Sequence, residues 1–121
     1  MSSENSVDLV SKMYVVVRQD IDLGYQIPQS IHAKDKFTHD FPECEHRWYN
    51  DSNTIVVLGI ENEDELLKLA GLSRLEGLRF SIFFEPDINE YTAIAIEPGA
   101  ATANMLKTLI PAGRQYRKLI K

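Results

Sequence analysis

Two short apolar runs without polar alternation constrain the fold more than any other feature of the sequence. Residues 14–18 contain Val15, Val16 and Val17 in a row, and residues 54–60 form a second run of the same kind. Runs of this length are typical of strands that are covered on both faces. Each run is followed by a segment with helical spacing, and strands separated by helices favour parallel pairing through right-handed crossovers. The sequence therefore predicts a sheet buried between helices.

The remaining segments complete an α/β domain. We predict two more strands and three helices, at residues 80–84 and 91–96, and at residues 28–40, 62–76 and 100–110. Pro28 suits the first position of the first helix, where no backbone N–H is needed. Asn62 is predicted to cap the second helix. The buried stripe of that helix is expected at Leu66, Leu69, Ala70 and Leu72.

The short link between the last two strands permits antiparallel pairing. We therefore predict a single domain with three layers, α/β/α, in which helices flank a mixed four-stranded sheet and the first strand lies in its interior. Residues 43–53 are polar apart from Trp48 and Tyr49. They are predicted to form a loop whose two aromatic rings fold back onto the domain.

Length and composition set the class of protein. The chain has 121 residues, of which 44% are hydrophobic and 26% charged, as is ordinary for a soluble globular domain. We expect a disordered tail at residues 1–11 and the domain at residues 12–121. No apolar run reaches membrane-spanning length and no signal-peptide core is present, so we expect no membrane association. The single cysteine, Cys44, allows no internal disulfide and favours a reducing, cytoplasmic location.

The net charge of −5 argues against broad, non-specific binding of nucleic acid. A local basic patch remains open, because the C-terminus carries Arg114, Arg117, Lys118 and Lys121. The simpler interpretation of that charge run is a solvated tail.

His32 is the best single candidate for chemistry. In a helix it shares a face with Gln29 and Asp35, and an imidazole can accept or donate a proton near neutral pH. The alternative is a half-buried histidine that only makes hydrogen bonds. His39 and His46 flank Cys44, but their spacing matches no standard zinc pattern, so we predict no metal site.

Acidic residues follow the first and third predicted strands. Asp20 and Asp22 follow the first strand, and Glu85, Asp87 and Glu90 follow the third. If these strands are parallel, both acidic segments lie at the same end of the sheet near His32, where carboxylates can position water or bind a cation. The alternative is that these residues simply favour turns.

Several strings resemble the type 2 peptidyl-tRNA hydrolase family. The resemblance runs from about Lys12 to the C-terminus. The strings are Val-Val-Val-Arg-Gln-Asp at 15–20, Gly24, Gln-Ser-Ile-His-Ala at 29–33, Trp48, Asn-Glu-Asp-Glu-Leu-Leu at 62–67 and Thr-Ala-Ile-Ala-Ile-Glu-Pro at 92–98.

The resemblance implies a small α/β/α domain that hydrolyses the ester between a peptide and the 3′ end of tRNA without a metal or organic cofactor. It makes His32 a catalytic or substrate-positioning residue, and Glu85, which we align with the family's aspartate, a second catalytic candidate. We predict one polar cleft lined by Asp20, Tyr25, Gln29, His32 and Glu85, and we expect Asp20, Tyr25, Gln29 and Asp87 to help to bind substrate.

The sequence also departs from the family. Tyr25 replaces the second lysine of a lysine-rich stretch, and a shortened turn around Glu85 replaces a longer loop. Two classes of function therefore stay open, a hydrolase acting on peptidyl-tRNA and a non-enzymatic binding module that kept the fold. A homodimer is also left open.

Overall fold

The structure is a computed structural model that describes residues 12–111. The expected tail at residues 1–11 and the basic residues beyond position 111 lie outside the described residues. The elements follow in the order β1 (Lys12–Arg18), α1 (Leu23–Asp40), α2 (Pro42–Asp51), β2 (Thr54–Ile60), α3 (Glu63–Leu75), β3 (Phe80–Glu85), β4 (Glu90–Ile96), α4 (Ala100–Met105) and β5 (Ile110–Pro111).

The sheet is mixed and has β1 in its interior, as predicted. Its strand order is β3-β4-β1-β2-β5. Strand β1 pairs parallel with β2 and antiparallel with β4, and β4 pairs antiparallel with β3. Strands β1 and β3 therefore run in the same direction, and the segments that follow them lie at the same end of the sheet. The two-residue β5, which was not predicted, pairs with Leu58 and Gly59 at the edge of β2.

Helices cover both faces of the sheet and produce two apolar cores. On one face, Val15 and Val17 of β1 pack with Ala33 and Phe37 of α1 and with Trp48 of α2. On the other face, α3 and the segment after α4 pack against the opposite side chains of β1 and β4. The buried residues of this second core are Val16, Leu66, Leu69, Ala70, Ile94, Ile96 and Leu106. The alternating side chains of β1 thus point into both cores, which explains why its sequence shows no polar alternation. The three-layer α/β/α prediction is confirmed.

The prediction of a loop at residues 43–53 is wrong, because the segment forms helix α2. Pro42 stands at the start of this helix, and Glu43 and Glu45 lie in its first turn, where carboxylates are favoured by the helix dipole. Trp48 is buried, and its indole N–H donates to the Thr54 carbonyl oxygen at 2.7 Å. Tyr49 is 57% exposed, so only one of the two rings folds back onto the domain.

Helix α1 begins five residues earlier than the sequence indicated. The Asp22 carbonyl oxygen accepts the N–H groups of Tyr25 and Gln26 at 2.9 and 3.0 Å, which starts the helix at Leu23. Pro28 therefore lies inside the helix rather than at its first position. Its missing N–H removes a single bond, the one to the Gly24 carbonyl, and the turns on either side hold the helix together.

The two later helices differ from prediction in their details. The Asn62 side chain accepts the Glu65 N–H at 3.0 Å, so the predicted cap of α3 is confirmed. Leu72 is 42% exposed and does not join the buried stripe. Helix α4 ends at Met105 instead of residue 110, because the following residues turn back to reach the edge of β2.

We expect Asn62→Ala to destabilise the domain by about 1 kcal/mol, because the Glu65 N–H loses its acceptor at the start of α3. Asn62→Asp is the matched control, since an aspartate accepts the same hydrogen bond. Urea unfolding of both variants measures the effect. Equal loss of stability in both would show that the side chain does not act as a cap.

Candidate functional site

One face of α1 carries three of the residues selected from the sequence. Tyr25, Gln29 and His32 are spaced four and three residues apart, which places them above one another along the helix. This face lies against the end of β3, where Glu85 begins the turn to β4. The structure therefore brings His32, Gln29 and Glu85 together on one side of the sheet.

Gln29 is the centre of this arrangement. Its side chain is only 1% exposed, and both ends of its amide are engaged. The amide Nε2 donates to Glu85 Oε1 at 2.7 Å, and the amide oxygen accepts the Thr92 hydroxyl at 2.6 Å. One buried side chain thus connects α1, β3 and β4. With both polar atoms occupied, Gln29 positions Glu85 instead of facing a ligand.

Glu85 is held as a carboxylate. The Gln29 amide and the Asp87 backbone N–H, at 3.1 Å, both donate to it and lower the pKa of this carboxyl group, and the charge of His32 lowers it further. Burial acts in the opposite direction but is the smaller effect beside the hydrogen bonds. At neutral pH the site therefore contains a fixed negative charge.

His32 is exposed, and its ring stacks on Phe83. The two ring centroids are 4.8 Å apart, with an interplanar angle of 24°. Within residues 12–111 no hydrogen bond to the imidazole is found, and the ring is near enough to Glu85 for its charge to lower the pKa of that carboxyl group. The stacking fixes the plane of the ring and leaves its nitrogens available to a water molecule or a substrate.

Tyr25 and Asp87 both lie near Glu85. Loss of solvent around the phenol raises the pKa of Tyr25, and the negative charges of Glu85 and Asp87 raise it further. Tyr25 therefore keeps its proton at neutral pH and can donate a hydrogen bond. The Asp87 side chain is exposed, while its backbone N–H supports Glu85.

Asp20 contacts a different residue, Arg18. Its two carboxylate oxygens accept the Nε and Nη2 groups of Arg18, each at 2.9 Å, and the Arg18 Nη1 donates to Glu90 at 2.7 Å. Arg18 is 6% exposed and ties the segment after β1 to the start of β4. Asp20 also borders a separate cavity beside Gly59 and Leu109. This cavity is not lined by His32 or Glu85, and the single cleft expected from the sequence stays a prediction.

The early start of α1 places the free backbone N–H groups of its first turn, which are potential hydrogen-bond donors to a substrate, far from His32. Leu23 precedes His32 by nine residues, which is roughly 13 Å along a helix axis. The free N–H groups at the helix start are therefore remote from the imidazole. Tyr25 is the nearer donor on this helix face.

Sequence reasoning missed Thr92 and Phe83 as parts of the site. Thr92 is fully buried and supplies the hydroxyl that orients Gln29. The available signal was a threonine directly before the apolar run at residues 93–96, where a buried hydroxyl needs a partner. Phe83 supplies the stacking surface, and its contact with His32 depends on the packing of α1 over β3, which the sequence pattern does not specify.

The described basic residues do not gather at this site. Arg18 is buried between two carboxylates, and Lys36 pairs with Asp40 at 2.7 Å. Arg47 lines a cleft with Arg79 and Glu97 at the other end of the β3–β4 hairpin. Among residues 12–111, no group of three or more histidine, cysteine or acidic side chains is arranged to hold a metal ion. None of the helices described in this range has the length and apolar character that crossing a bilayer requires.

The fold and this group of side chains define an α/β/α domain with a carboxylate and an imidazole at one end of a mixed sheet. A family model described as Peptidyl-tRNA hydrolase PTH2 matches residues 11–108. The chain therefore belongs to the type 2 peptidyl-tRNA hydrolase family.

Other comparisons add the fold alone. A solved protein of unknown function from Agrobacterium tumefaciens strain C58 is similar, with a TM-score of 0.59 and 14% identity over 83% of this chain and 96% of that one. The comparison with curated proteins gives no match. The homodimer left open by the sequence gains no support from these comparisons.

We expect Gln29→Leu to destabilise the domain by about 1–3 kcal/mol, because it leaves Glu85 and Thr92 without their buried partner. Ser30→Ala is the neighbouring control, since it removes only a hydroxyl that bonds to the Gln26 carbonyl within the helix. Denaturant unfolding at neutral pH compares the two. A loss no larger in Gln29→Leu than in Ser30→Ala would contradict the proposed importance of the network.

The stability that Glu85 contributes should depend on pH. The folded state lowers the pKa of this carboxyl below its ordinary value of 4.5, so the contribution is present above that value and is lost as the pH falls through the folded pKa. The stability difference between wild type and Gln29→Leu should therefore be largest near neutral pH and shrink in acid. Unfolding curves over this range, with NMR titration of the Glu85 carboxyl carbon, measure both effects. A difference that grows in acid would have the wrong sign.

Proposed function

We propose that this protein hydrolyses the ester bond between a peptide and the 3′ end of tRNA. The family supports a function like that of peptidyl-tRNA hydrolases. The observation that carries the proposal is the Glu85 carboxylate, which Gln29 holds beside the exposed His32 imidazole. Such a pair can orient and activate a water molecule, which is what ester hydrolysis requires.

In the proposed reaction, His32 acts as the general base. Its neutral imidazole takes a proton from water as the water oxygen attacks the ester carbonyl carbon. The tetrahedral intermediate then collapses, the bond to the ribose oxygen breaks, and the imidazolium returns the proton to that oxygen. The products are the peptide acid and tRNA with a free hydroxyl. Glu85 orients the water and stabilises the imidazolium by its negative charge.

The oxyanion that forms in this reaction needs a hydrogen-bond donor. Tyr25 is the candidate, because its phenol keeps its proton at neutral pH and lies beside Glu85 and Asp87. A tyrosine supplies a hydrogen bond but no fixed positive charge, so we expect slower hydrolysis than a lysine at this position would allow. Gln29 contributes by holding Glu85 in place.

The second candidate is a binding module without catalytic activity. The observation in its favour is the lack of cationic help at the site, since Tyr25 stands where the family usually has lysine and Lys36 is paired with Asp40. A bound tRNA would then rely on basic residues elsewhere in the chain, with binding that weakens steeply with salt. A cytoplasmic location, where translation takes place, accompanies either proposal.

We expect His32→Ala to reduce hydrolysis by about a hundred- to ten-thousand-fold, because the reaction loses its general base. His46→Ala is the matched control, since His46 is exposed on α2 and, within residues 12–111, its ring is hydrogen-bonded to Asn50 of the same helix. Single-turnover hydrolysis of peptidyl-tRNA measures both, with circular dichroism as the folding control. Full activity in folded His32→Ala would remove His32 from the mechanism.

We expect Tyr25→Lys to raise the rate and Tyr25→Phe to lower it by roughly tenfold or more, because the first adds and the second removes a donor for the oxyanion. The same single-turnover assay measures them. Equal rates in the Phe and Lys variants would exclude a direct role for this position. No hydrolysis in the wild type at any enzyme concentration would leave the binding module as the better function.

A further inference from the structure

Strand β3 has an open edge beside the candidate site. It stands at one end of the sheet, and within the described residues it pairs with β4 alone. The Glu97 N–H donates to the Arg79 carbonyl oxygen at 2.9 Å, so this pair is hydrogen-bonded across the hairpin. Bonded pairs alternate along an antiparallel ladder. Phe80 and Ile82 therefore turn their backbone N–H and C=O groups toward the open edge.

A cavity follows this edge and reaches the site. Its volume is about 730 Å³, and its lining consists of His32, Asp35, Lys36, His39, Ile82, Phe83, Phe84 and Tyr91. His32 and Phe83 form the stacked pair of the candidate site. Phe84 is 39% exposed and rests edge-on against Tyr91, with ring centroids 5.0 Å apart. The cavity therefore joins an apolar, aromatic surface to the imidazole.

The charges around the cavity favour an uncharged occupant. Glu85 is anionic, Asp87 lies beside it, and the cavity's Lys36 is already paired with Asp40 at 2.7 Å. A phosphate group placed here would meet negative charge without a free lysine to balance it. A peptide backbone is neutral, can hydrogen-bond to the open edge of a strand, and can place apolar side chains against aromatic rings.

We propose that the open edge of β3 binds the peptide part of the substrate as an added strand. The proposal rests on the proposed function and names the surface that holds the acyl group. The ester must lie at His32 and Glu85, at the carboxyl end of β3, so the peptide runs parallel to β3 with its amino end toward Phe80. Strand β3 has six residues, enough to contact three or four substrate residues, or about 10–13 Å of extended chain.

The first experiment measures kcat/KM for tRNA esters whose N-acetylated acyl chain grows from one to about six residues. Each added residue should raise kcat/KM by about two- to tenfold until about the fourth, after which the values level off. Phe84→Ser should remove much of this gain and keep the rate of the single-residue ester. Ile55→Ser is the matched control, since Ile55 is an exposed apolar residue, at 46% exposure, on β2, which β4 and β1 separate from β3 in the sheet.

The second measurement tests peptide binding at β3 separately from the proposed hydrolase function. An N-acetylated pentapeptide amide, which lacks tRNA and a charged carboxylate, should shift the NMR amide signals of β3 more than those of β2. Such shifts, if peptidyl-tRNA is not hydrolysed, would overturn the proposed hydrolase function and support peptide binding at the edge of β3. Two results would overturn peptide binding at β3 and leave the proposed hydrolase function standing. One is a kcat/KM that does not depend on acyl length, and the other is a Phe84→Ser variant whose kcat/KM depends on acyl length as in the wild type. A dimer that pairs through the β3 edge in solution would also overturn peptide binding at that edge.

Discussion

The hydrogen bonds of the Gln29 amide hold the candidate site together. This one buried side chain donates to Glu85 at 2.7 Å and accepts from Thr92 at 2.6 Å, so it fixes α1 against both strands of the β3–β4 hairpin. A buried amide is stable only when both its ends are satisfied, and here the two partners lie on different strands. The position of α1 on the sheet therefore determines the position of Glu85, and with it the charge that His32 faces.

The same arrangement is what the proposed ester hydrolysis depends on, because Tyr25 stands where the family usually has lysine. The carboxylate is kept ionised by two donors, Gln29 and the Asp87 N–H, and the imidazole is kept in its plane by Phe83. A second anchor lies nearby, where Arg18 joins Asp20 to Glu90 and connects the segment after β1 to the start of β4. The two anchors fix both ends of the turn between β3 and β4. The groups that we propose as catalytic are thus carried by the helix and strands of the domain, and Tyr25 is the proposed donor to the oxyanion.

The sheet could be predicted because its strands are specified locally. The Val15–Val17 run predicts a strand buried on both faces, and the short link before Tyr91 predicts a hairpin. The grouping of His32, Gln29 and Glu85 followed from the parallel directions of β1 and β3. Helix α2 was missed because its apolar stripe is short: it consists of Cys44 and Trp48, with Phe41 just before the helix, and only Trp48 is fully buried. The start of α1 was misplaced because Pro28 is tolerated inside the helix, where packing against β3 and β4 supports the chain. The roles of Thr92 and Phe83 depend on contacts between distant elements, and no local pattern encodes them.

The most direct test of the account is the pH dependence of single-turnover hydrolysis of peptidyl-tRNA from about pH 5 to about pH 9, with NMR titration of His32 in the same protein. If a neutral imidazole is the base, the rate rises through one ionisation whose pKa equals that of the His32 ring. A rate that does not change with pH, or one that follows an ionisation different from that of His32, would contradict the proposal that His32 is the general base.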